Sequence, residues 1–228
     1  MKFITASGPP SSGKTSVLLN VIKTLTSQGK RVGVVKFDCL STYDNRTYKK
    51  LGIPVNVGLS GNLCPDHYFI SNIEDCFEWG VSENLDYLLT ESAGLCNRCS
   101  PHIAKVLAIC VIDNLMGINS PKKVGPMLRF ADIVIITKGD IVSQAEREVF
   151  SFRVRQVNSR ATIMFINGIT GQGTFELTTL IQKAPPVETI SGGKLRFPMP
   201  AALCSYCLGE KRIGEDYQVG NLRKIKVY

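Results

Sequence analysis

A short segment near the N-terminus places glycines, a lysine and hydroxyl side chains at a spacing that suits phosphate binding. It reads Gly8-Pro-Pro-Ser-Ser-Gly13-Lys14-Thr15 and lies between a first apolar run and a first helical pattern. Backbone N–H groups in such a loop surround phosphate oxygens at the positive end of a helix dipole. The lysine supplies charge to the β- and γ-phosphates, and the threonine hydroxyl ligates Mg²⁺. The segment therefore predicts a P-loop, and the expected nucleotide contacts come from Gly8, Ser11, Ser12, Gly13, Lys14, Thr15 and Ser16.

Two carboxylates follow apolar runs and could act on Mg²⁺ or on an attacking water. Asp38 ends the second run, and Glu91 ends the third, with Gly94 three residues later. In such folds these strand ends face the phosphates, so a carboxylate there can reach Mg²⁺ and a flexible glycine can sense the γ-phosphate. An ordinary strand-ending carboxylate is the alternative for Asp38. We predict catalytic roles for Lys14, Asp38 and Glu91, Mg²⁺ ligation by Thr15, Asp38 and Glu91, and a nucleotide contact from Gly94.

A third segment suits recognition of a guanine base. The apolar run Asp132 to Thr137 ends in Lys138-Gly139-Asp140, which is similar to the guanine-reading pattern Asn-Lys-x-Asp, with Thr137 in place of the asparagine. One carboxylate can accept from both N1–H and the 2-amino group of guanine, whereas adenine offers neither donor there, so adenine would leave the carboxylate unpaired. We therefore expect GTP and GDP as ligands, with nucleotide contacts from Lys138 and Asp140. A solvated turn is the alternative reading of this segment.

Composition narrows the class of protein. The chain has 228 residues, 44% of them hydrophobic and 20% charged, which is enough to build a full core. The net charge of +8 comes from scattered lysines and arginines with no basic stripe, so no nucleic acid partner is expected. No apolar run is long enough to cross a bilayer, and the glycine-proline loop at Gly8 begins too early for a signal peptide. We expect a cytoplasmic protein without a membrane span.

Strand and helix patterns alternate along most of the chain. Short apolar runs that lack in/out alternation, interleaved with helical patterns, predict an α/β fold: a P-loop NTPase three-layer sandwich with a mostly parallel sheet. The rhythm stops near Ala184, where prolines and glycines crowd together. We predict a GTPase domain over 1–184 and a C-terminal cysteine-containing extension over 185–228.

In this order, the P-loop, Asp38, Glu91-Ser-Ala-Gly94 and Thr137-Lys-Gly-Asp140 resemble the nickel-insertion GTPases of hydrogenase and urease maturation, the HypB and UreG type of the SIMIBI class. The resemblance covers about Lys2 to Ala184. It implies a homodimer that forms on GTP and Mg²⁺ and delivers a metal to a client metalloenzyme or its maturation complex. It also implies a metal motif at Cys64-Pro-Asp-His67, which has one residue more than the family's Cys-Pro-His, and ligand roles for Cys64 and His67. The family's N-terminal histidine-rich stretch is absent.

Four of the eight cysteines form Cys-x-x-Cys pairs, a spacing typical of metal sites. Cys96-x-x-Cys99-x-x-His102 follows Glu91 and Gly94 at once, and two thiolates so spaced can hold zinc, nickel or an iron–sulfur cluster. A full shell needs four ligands, so Cys64 or a second copy of the loop in a dimer must complete it. Cys204-x-x-Cys207 is a separate candidate: a zinc knuckle, further ligands for the same metal, or a carrier pair. Buried, inert thiols are the alternative, which we assign to Cys76 and Cys110; Cys39 stays open.

Three functions compete. The leading hypothesis is a slow GTPase that acts as a metallochaperone or maturation factor. The alternative from another class is a nucleotide-dependent activator or electron donor, with an iron–sulfur cluster bridged between subunits. A small-molecule kinase with structural zinc is the third, but no arginine-rich lid is evident, and Lys138-Gly-Asp140 argues against it.

Overall fold

Parallel strands form the centre of the structure. The computed structural model describes residues 1–42, 44–198, 210–218 and 223–227. In that part of the chain seven strands form one all-parallel sheet in the order β3-β2-β4-β1-β5-β6-β7. They are β1 (Lys2–Ser7), β2 (Val32–Asp38), β3 (Val55–Leu59), β4 (Tyr87–Glu91), β5 (Leu107–Asp113), β6 (Ile133–Thr137) and β7 (Thr162–Phe165).

Helices connect the strands. They are α1 (Lys14–Ser27), α2 (Asp44–Lys50), α3 (Pro65–Ser82), α4 (Pro121–Val124), α5 (Pro126–Arg129), α6 (Gln144–Val157) and α7 (Thr174–Lys183). The predicted α/β P-loop fold is confirmed, and the sheet is entirely parallel in the described residues. The sequence patterns missed β3, a five-residue edge strand that contains Asn56 and Gly58, and the short helices α2, α4 and α5. Helices of four to seven residues are too short to show a helical period, and β3 lacks the continuous apolar run by which the other strands were predicted.

Side chains alternate between the two faces of the sheet and create a core on each. On one face Ile4, Val34 and Val111 pack under α1 and α7. On the other face Phe37 packs under α3, and Ile136 packs under α4 to α6. The result is three layers, helix, sheet and helix, as predicted.

Two cysteines that we assigned to the core do lie in it. Cys76 of α3 and Cys110 of β5 are fully buried. Burial raises the pKa of Cys110 to about 12 and raises that of Cys76 as well, because the apolar surroundings disfavour the thiolate. Both thiols are therefore protonated and inert at neutral pH.

The described residues beyond α7 pack onto the same core. Ile190, Leu195, Ile213 and Ile225 are buried in the α3 side of the core. The Arg196 guanidinium binds both carboxylate oxygens of Asp132 at 2.7 Å and donates to three backbone carbonyls. Cys204 and Cys207 lie outside the described residues. Among the described residues no helix is both long and apolar enough to span a membrane.

Candidate nucleotide and metal site

The loop between β1 and α1 has the geometry that its glycines predict. Gly8 and Gly13 adopt positive φ values of 142° and 88°, which L side chains rarely reach. A Cβ on Gly8 would lie 2.9 Å from the carbonyl carbon of Val111, so β5 approaches the loop backbone to backbone. Gly13 caps α1 in the left-handed conformation, and Lys14 begins the helix. The N–H groups of the first helical turn therefore point toward the loop, as a phosphate site requires.

Lys14 is held across this loop. Its ammonium donates to the carbonyl oxygens of Gly8 and Pro9, each at 2.8 Å. Burial lowers the pKa of Lys14, and the negative charge of Glu91 opposes that shift. The same lysine lines a cavity of about 410 Å³ together with Ser11, Thr15 and Asp38. A cationic side chain in a cavity beside a helix N-terminus is suited to hold phosphates.

Glu91 lies at the centre of a buried polar network. Its Oε1 accepts from the Thr15 hydroxyl at 2.6 Å and from the Lys36 ammonium at 3.0 Å, and its Oε2 accepts from the Tyr48 hydroxyl at 3.1 Å. Lys36 also donates to Thr15 Oγ1 at 3.3 Å. Lys36 and Tyr48 were not predicted from sequence. For Lys36 a signal existed: it is the one charged side chain between Val32 and Phe37 in an otherwise apolar run.

Asp38 completes the oxygen ligands of this cavity. It ends β2, is partly exposed, and its Oδ1 accepts from the Cys39 N–H at 2.8 Å. The Thr15 hydroxyl and the carboxylates of Asp38 and Glu91 all line the cavity. Hydroxyl and carboxylate oxygens are the donors that Mg²⁺ prefers, so these residues fit that ion.

The loop after β4 packs directly on the phosphate loop. Gly94 has φ 70°, and a Cβ there would lie 2.6 Å from the Gly8 carbonyl carbon and closer still to its oxygen. Only glycine therefore fits at position 94. The backbones of the two loops therefore lie in direct contact, with no side chain between them.

The base-reading segment is joined to the same loop. Thr137 Oγ1 donates to the Ser12 carbonyl at 2.7 Å, and Lys138 Nζ donates to the Ser11 carbonyl at 2.9 Å. Thr137 thus fastens β6 to the P-loop, and its hydroxyl is already engaged. Asp140 is exposed beyond the end of the strand. Ser16 lines the phosphate cavity, and its Cβ lies against Gly168.

Three potential metal ligands come together in the described part of the chain. Sγ of Cys64, a carboxylate oxygen of Asp66 and Sγ of Cys99 all lie within 4.8 Å of one another. Cys96 joins them, since its Sγ lies 3.4 Å from Cys99 Sγ and the two sulfur atoms share a hydrogen bond. This hydrogen bond lowers the pKa of Cys96 to about 6, which favours the thiolate. Cys64, Asp66 and Cys99 therefore lie close together within one protomer, and Cys96 adjoins this group through Cys99.

Asp66 is the member of this group that sequence reasoning missed. It is the additional residue of Cys64-Pro-Asp-His67, and its side chain is fully buried. Neither of its carboxylate oxygens has a hydrogen-bond partner among the described residues. Burial raises its pKa well above the ordinary value, and the nearby Cys64 and Cys96 raise it further. An unpartnered buried carboxylate is costly unless a proton or a cation compensates it.

The two histidines lie outside this group. The structure does not bring His102 to the sulfur atoms: its Nε2 lies 2.9 Å from the Met127 carbonyl and its Nδ1 lies 3.1 Å from Thr5 Oγ1. Both ring nitrogens are thus engaged in the core, and burial lowers the pKa of His102 to about 4. We therefore remove His102 from the predicted ligand set. His67 is buried in the first turn of α3, and its pKa is lowered by burial.

Comparisons with known proteins identify the family of the chain. The profile of the family described as CobW/HypB/UreG, nucleotide-binding domain, matches residues 2–165. An uncharacterised protein of Methanocaldococcus jannaschii is 49% identical over 225 residues, which cover 99% of this chain and 96% of that protein. The urease accessory protein UreG of Trichodesmium erythraeum is 29% identical over 191 residues, 76% of this chain and 87% of UreG.

Solved structures show the same fold. The hydrogenase maturation factor HypB of Archaeoglobus fulgidus superposes with a TM-score of 0.65 at 19% identity, covering 80% of this chain and 89% of that one. HypB of Helicobacter pylori, solved in complex with nickel, gives the same score and identity and covers 80% and 86%. At this identity the likeness concerns the fold alone.

Proposed function

Because the chain belongs to the CobW/HypB/UreG family of nucleotide-binding domains, we propose that it is a GTP-hydrolysing metallochaperone. In this proposal the nucleotide cycle controls the binding of a metal and its delivery to a client metalloenzyme. The observation that carries it is the backbone contact between Gly94 and Gly8. The loop that bears Cys96 and Cys99 starts at that contact, so a change in the phosphate site can alter the distances between the sulfur atoms.

The nucleotide half of the proposal assigns roles to the residues of the cavity. Lys14 binds the β- and γ-phosphates, and Thr15, Asp38 and Glu91 hold Mg²⁺, which when bound neutralises phosphate charge. Asp38 also orients water, and turnover is slow because no arginine faces the cavity among its described lining residues. Guanine is selected by Asp140.

The metal half of the proposal places the cargo on Cys64, Asp66, Cys96 and Cys99. Two facts support a single-protomer site: Cys99 is fully buried, and Asp66 is a buried carboxylate without a hydrogen-bond partner among the described residues. Three thiolates with one carboxylate suit a divalent ion such as nickel or zinc. An iron–sulfur cluster bridged between subunits is less consistent with this arrangement, because the Cys99 sulfur would first have to move out of the core.

The remaining parts of the proposal concern partners. Leu95 lines the cavity and is 52% exposed, and Leu40, two residues after Asp38, is 79% exposed. A nucleotide-dependent homodimer would bury both side chains. We propose residues 185–228, with Cys204 and Cys207, as the part that meets the client. A cytoplasmic location also belongs to the proposal.

Metal affinity measured in two nucleotide states tests this function. We expect anaerobically purified protein to bind one nickel or zinc ion per protomer, with affinities that differ at least about tenfold between GDP and a non-hydrolysable GTP analogue. Asp66→Asn should weaken binding in both states. Cys76→Ala is the matched control, since it removes a buried thiol of the same helix outside the ligand group. Equal affinities in the two states would remove the coupling, and full metal binding by Asp66→Asn would remove Asp66 from the site.

A further inference from the structure

Lys36 is a buried cation that the nucleotide chemistry described above does not use. Only 7% of its side chain is exposed, and that of its partner Glu91 is 1% exposed. The pairing is set by the sheet register, because Lys36 of β2 and Glu91 of β4 are direct cross-strand partners. Side chains so placed stay adjacent as long as the sheet is intact. The ammonium is therefore a fixed feature of the cavity.

This ammonium lies against two of the oxygens that would hold Mg²⁺. Lys36 Nζ lies 3.0 Å from Glu91 Oε1 and 3.3 Å from Thr15 Oγ1, and these two oxygens are themselves only 2.6 Å apart. The Lys36 ammonium thus already contacts the two oxygens that would coordinate the ion. Asp38, two residues further along β2, faces the same cavity.

The charges around the cavity show what the ammonium contributes. Its charged lining residues are Lys14, Lys36, Asp38 and Glu91, so with both lysines present the charges balance. Without Lys36 the lining would carry one excess negative charge and would repel the phosphates of a nucleotide. A divalent ion would then have to compensate both the carboxylates and the phosphates.

We propose that Lys36 is a built-in cation of the nucleotide site, which neutralises Glu91 and thereby removes its repulsion of the nucleotide phosphates, and so makes binding only partly dependent on Mg²⁺. The inference rests on the proposed nucleotide binding and adds a positioning residue to it. Lys36 and Mg²⁺ then act on the same charges. Each contributes more to the free energy of nucleotide binding when the other is absent. A thermodynamic cycle can measure this coupling.

Isothermal titration with GDP, in excess Mg²⁺ and in EDTA, tests this inference. The quantity of interest is the ratio of the dissociation constant in EDTA to that in Mg²⁺. In Lys36→Met and Lys36→Gln we expect this ratio to be at least about tenfold larger than in the native chain. Lys36→Arg should keep the native ratio because it keeps the charge. Lys23→Met, which removes an exposed lysine of α1, is the matched control and should also keep it.

Removing one partner of a buried ion pair destabilises a protein. Two uncharged variants are therefore used, so that the test does not depend on the folding of either one alone. Lys36→Gln retains a hydrogen-bond donor for Glu91, and chemical denaturation establishes that each variant is folded. Ratios within about twofold of the native value in the folded uncharged variants would overturn the role of Lys36 alone. Failure of the native chain to bind GDP in Mg²⁺ would overturn this inference together with the proposed function.

Discussion

Replacing Gly94 by alanine isolates the contact on which the coupling of the two sites depends. Alanine at φ 70° costs about 1 to 2 kcal/mol in any setting, because Cβ approaches the following carbonyl. At position 94 the new methyl carbon would also lie 2.6 Å from the Gly8 carbonyl carbon, whereas such atoms prefer about 3.5 to 4.0 Å. The carbonyl oxygen of Gly8 is closer still, so the two loops must separate by more than ~1 Å, and crowding of this kind costs a further 1 to 3 kcal/mol or so.

A second glycine of the chain supplies the control. Gly29 has φ 74°, and a Cβ there would meet nothing within 4 Å, so Gly29→Ala carries only the backbone cost. Urea denaturation should show a loss of about 1 to 2 kcal/mol for Gly29→Ala and of about 2 to 5 kcal/mol for Gly94→Ala. GDP binding should weaken only in Gly94→Ala, because the Gly8 carbonyl that must move accepts a hydrogen bond from Lys14. Losses equal within about 0.5 kcal/mol, with equal GDP affinity, would refute the direct contact between the loops.

Three further changes probe the base, the chemistry and the core. Asp140→Ala should abolish an at least tenfold or so preference for GDP over ADP in competition binding, and an intact chain without that preference would contradict guanine recognition. Asp38→Ala should leave GTP binding measurable and suppress hydrolysis followed by phosphate release, since the carboxylate acts on Mg²⁺ or water; a normal rate would place that role elsewhere. His102→Gln should make the free energy of unfolding less dependent on pH under acidic conditions. Folding lowers the pKa of His102 from 6.5 to about 4, so the unfolded chain binds the proton first. Stability is then full above about pH 6.5 and falls toward pH 4, by up to about 3 kcal/mol. His67 shifts in the same direction and accounts for part of the remaining slope, so an unchanged slope in His102→Gln would contradict a neutral, buried ring.

The phosphate loop and the sheet could be predicted from sequence because their signals are local. The glycines, Lys14 and Thr15 stand together in eight residues, and the long buried strands are continuous apolar runs. The Glu91 network could not be predicted in the same way, because its members come from distant parts of the chain. Lys36 is 55 residues from Glu91, and Tyr48 is 43 residues from it. Only the sheet register and the missed helix α2 bring them together.

The prediction of the metal ligands failed for the opposite reason, because residues close in the sequence were assumed to be close in space. His102 follows Cys99 by three residues, yet its ring turns to β1 and α5, where Thr5 and Met127 bind it. Asp66 was treated as an additional residue in a known motif, and nothing local marks it as a ligand. Its significance is evident only from the burial of both oxygens without a described partner.

The ion pair of Lys36 and Glu91 has a consequence for how this fold can adapt to heat. Exchanging a buried ion pair for apolar residues of similar size is often neutral or stabilises a protein by about 1 to 4 kcal/mol. A selection that rewards thermal resistance alone should therefore discard the network as a whole, for example through Lys36→Met, Glu91→Leu and Tyr48→Phe together, because Glu91→Leu alone removes the acceptor of the buried Tyr48 hydroxyl. Such a chain would resist unfolding with an inactive phosphate cavity. Where the pair is retained, tolerance to heat must be gained elsewhere, in the helices and loops that do not contact the cavity.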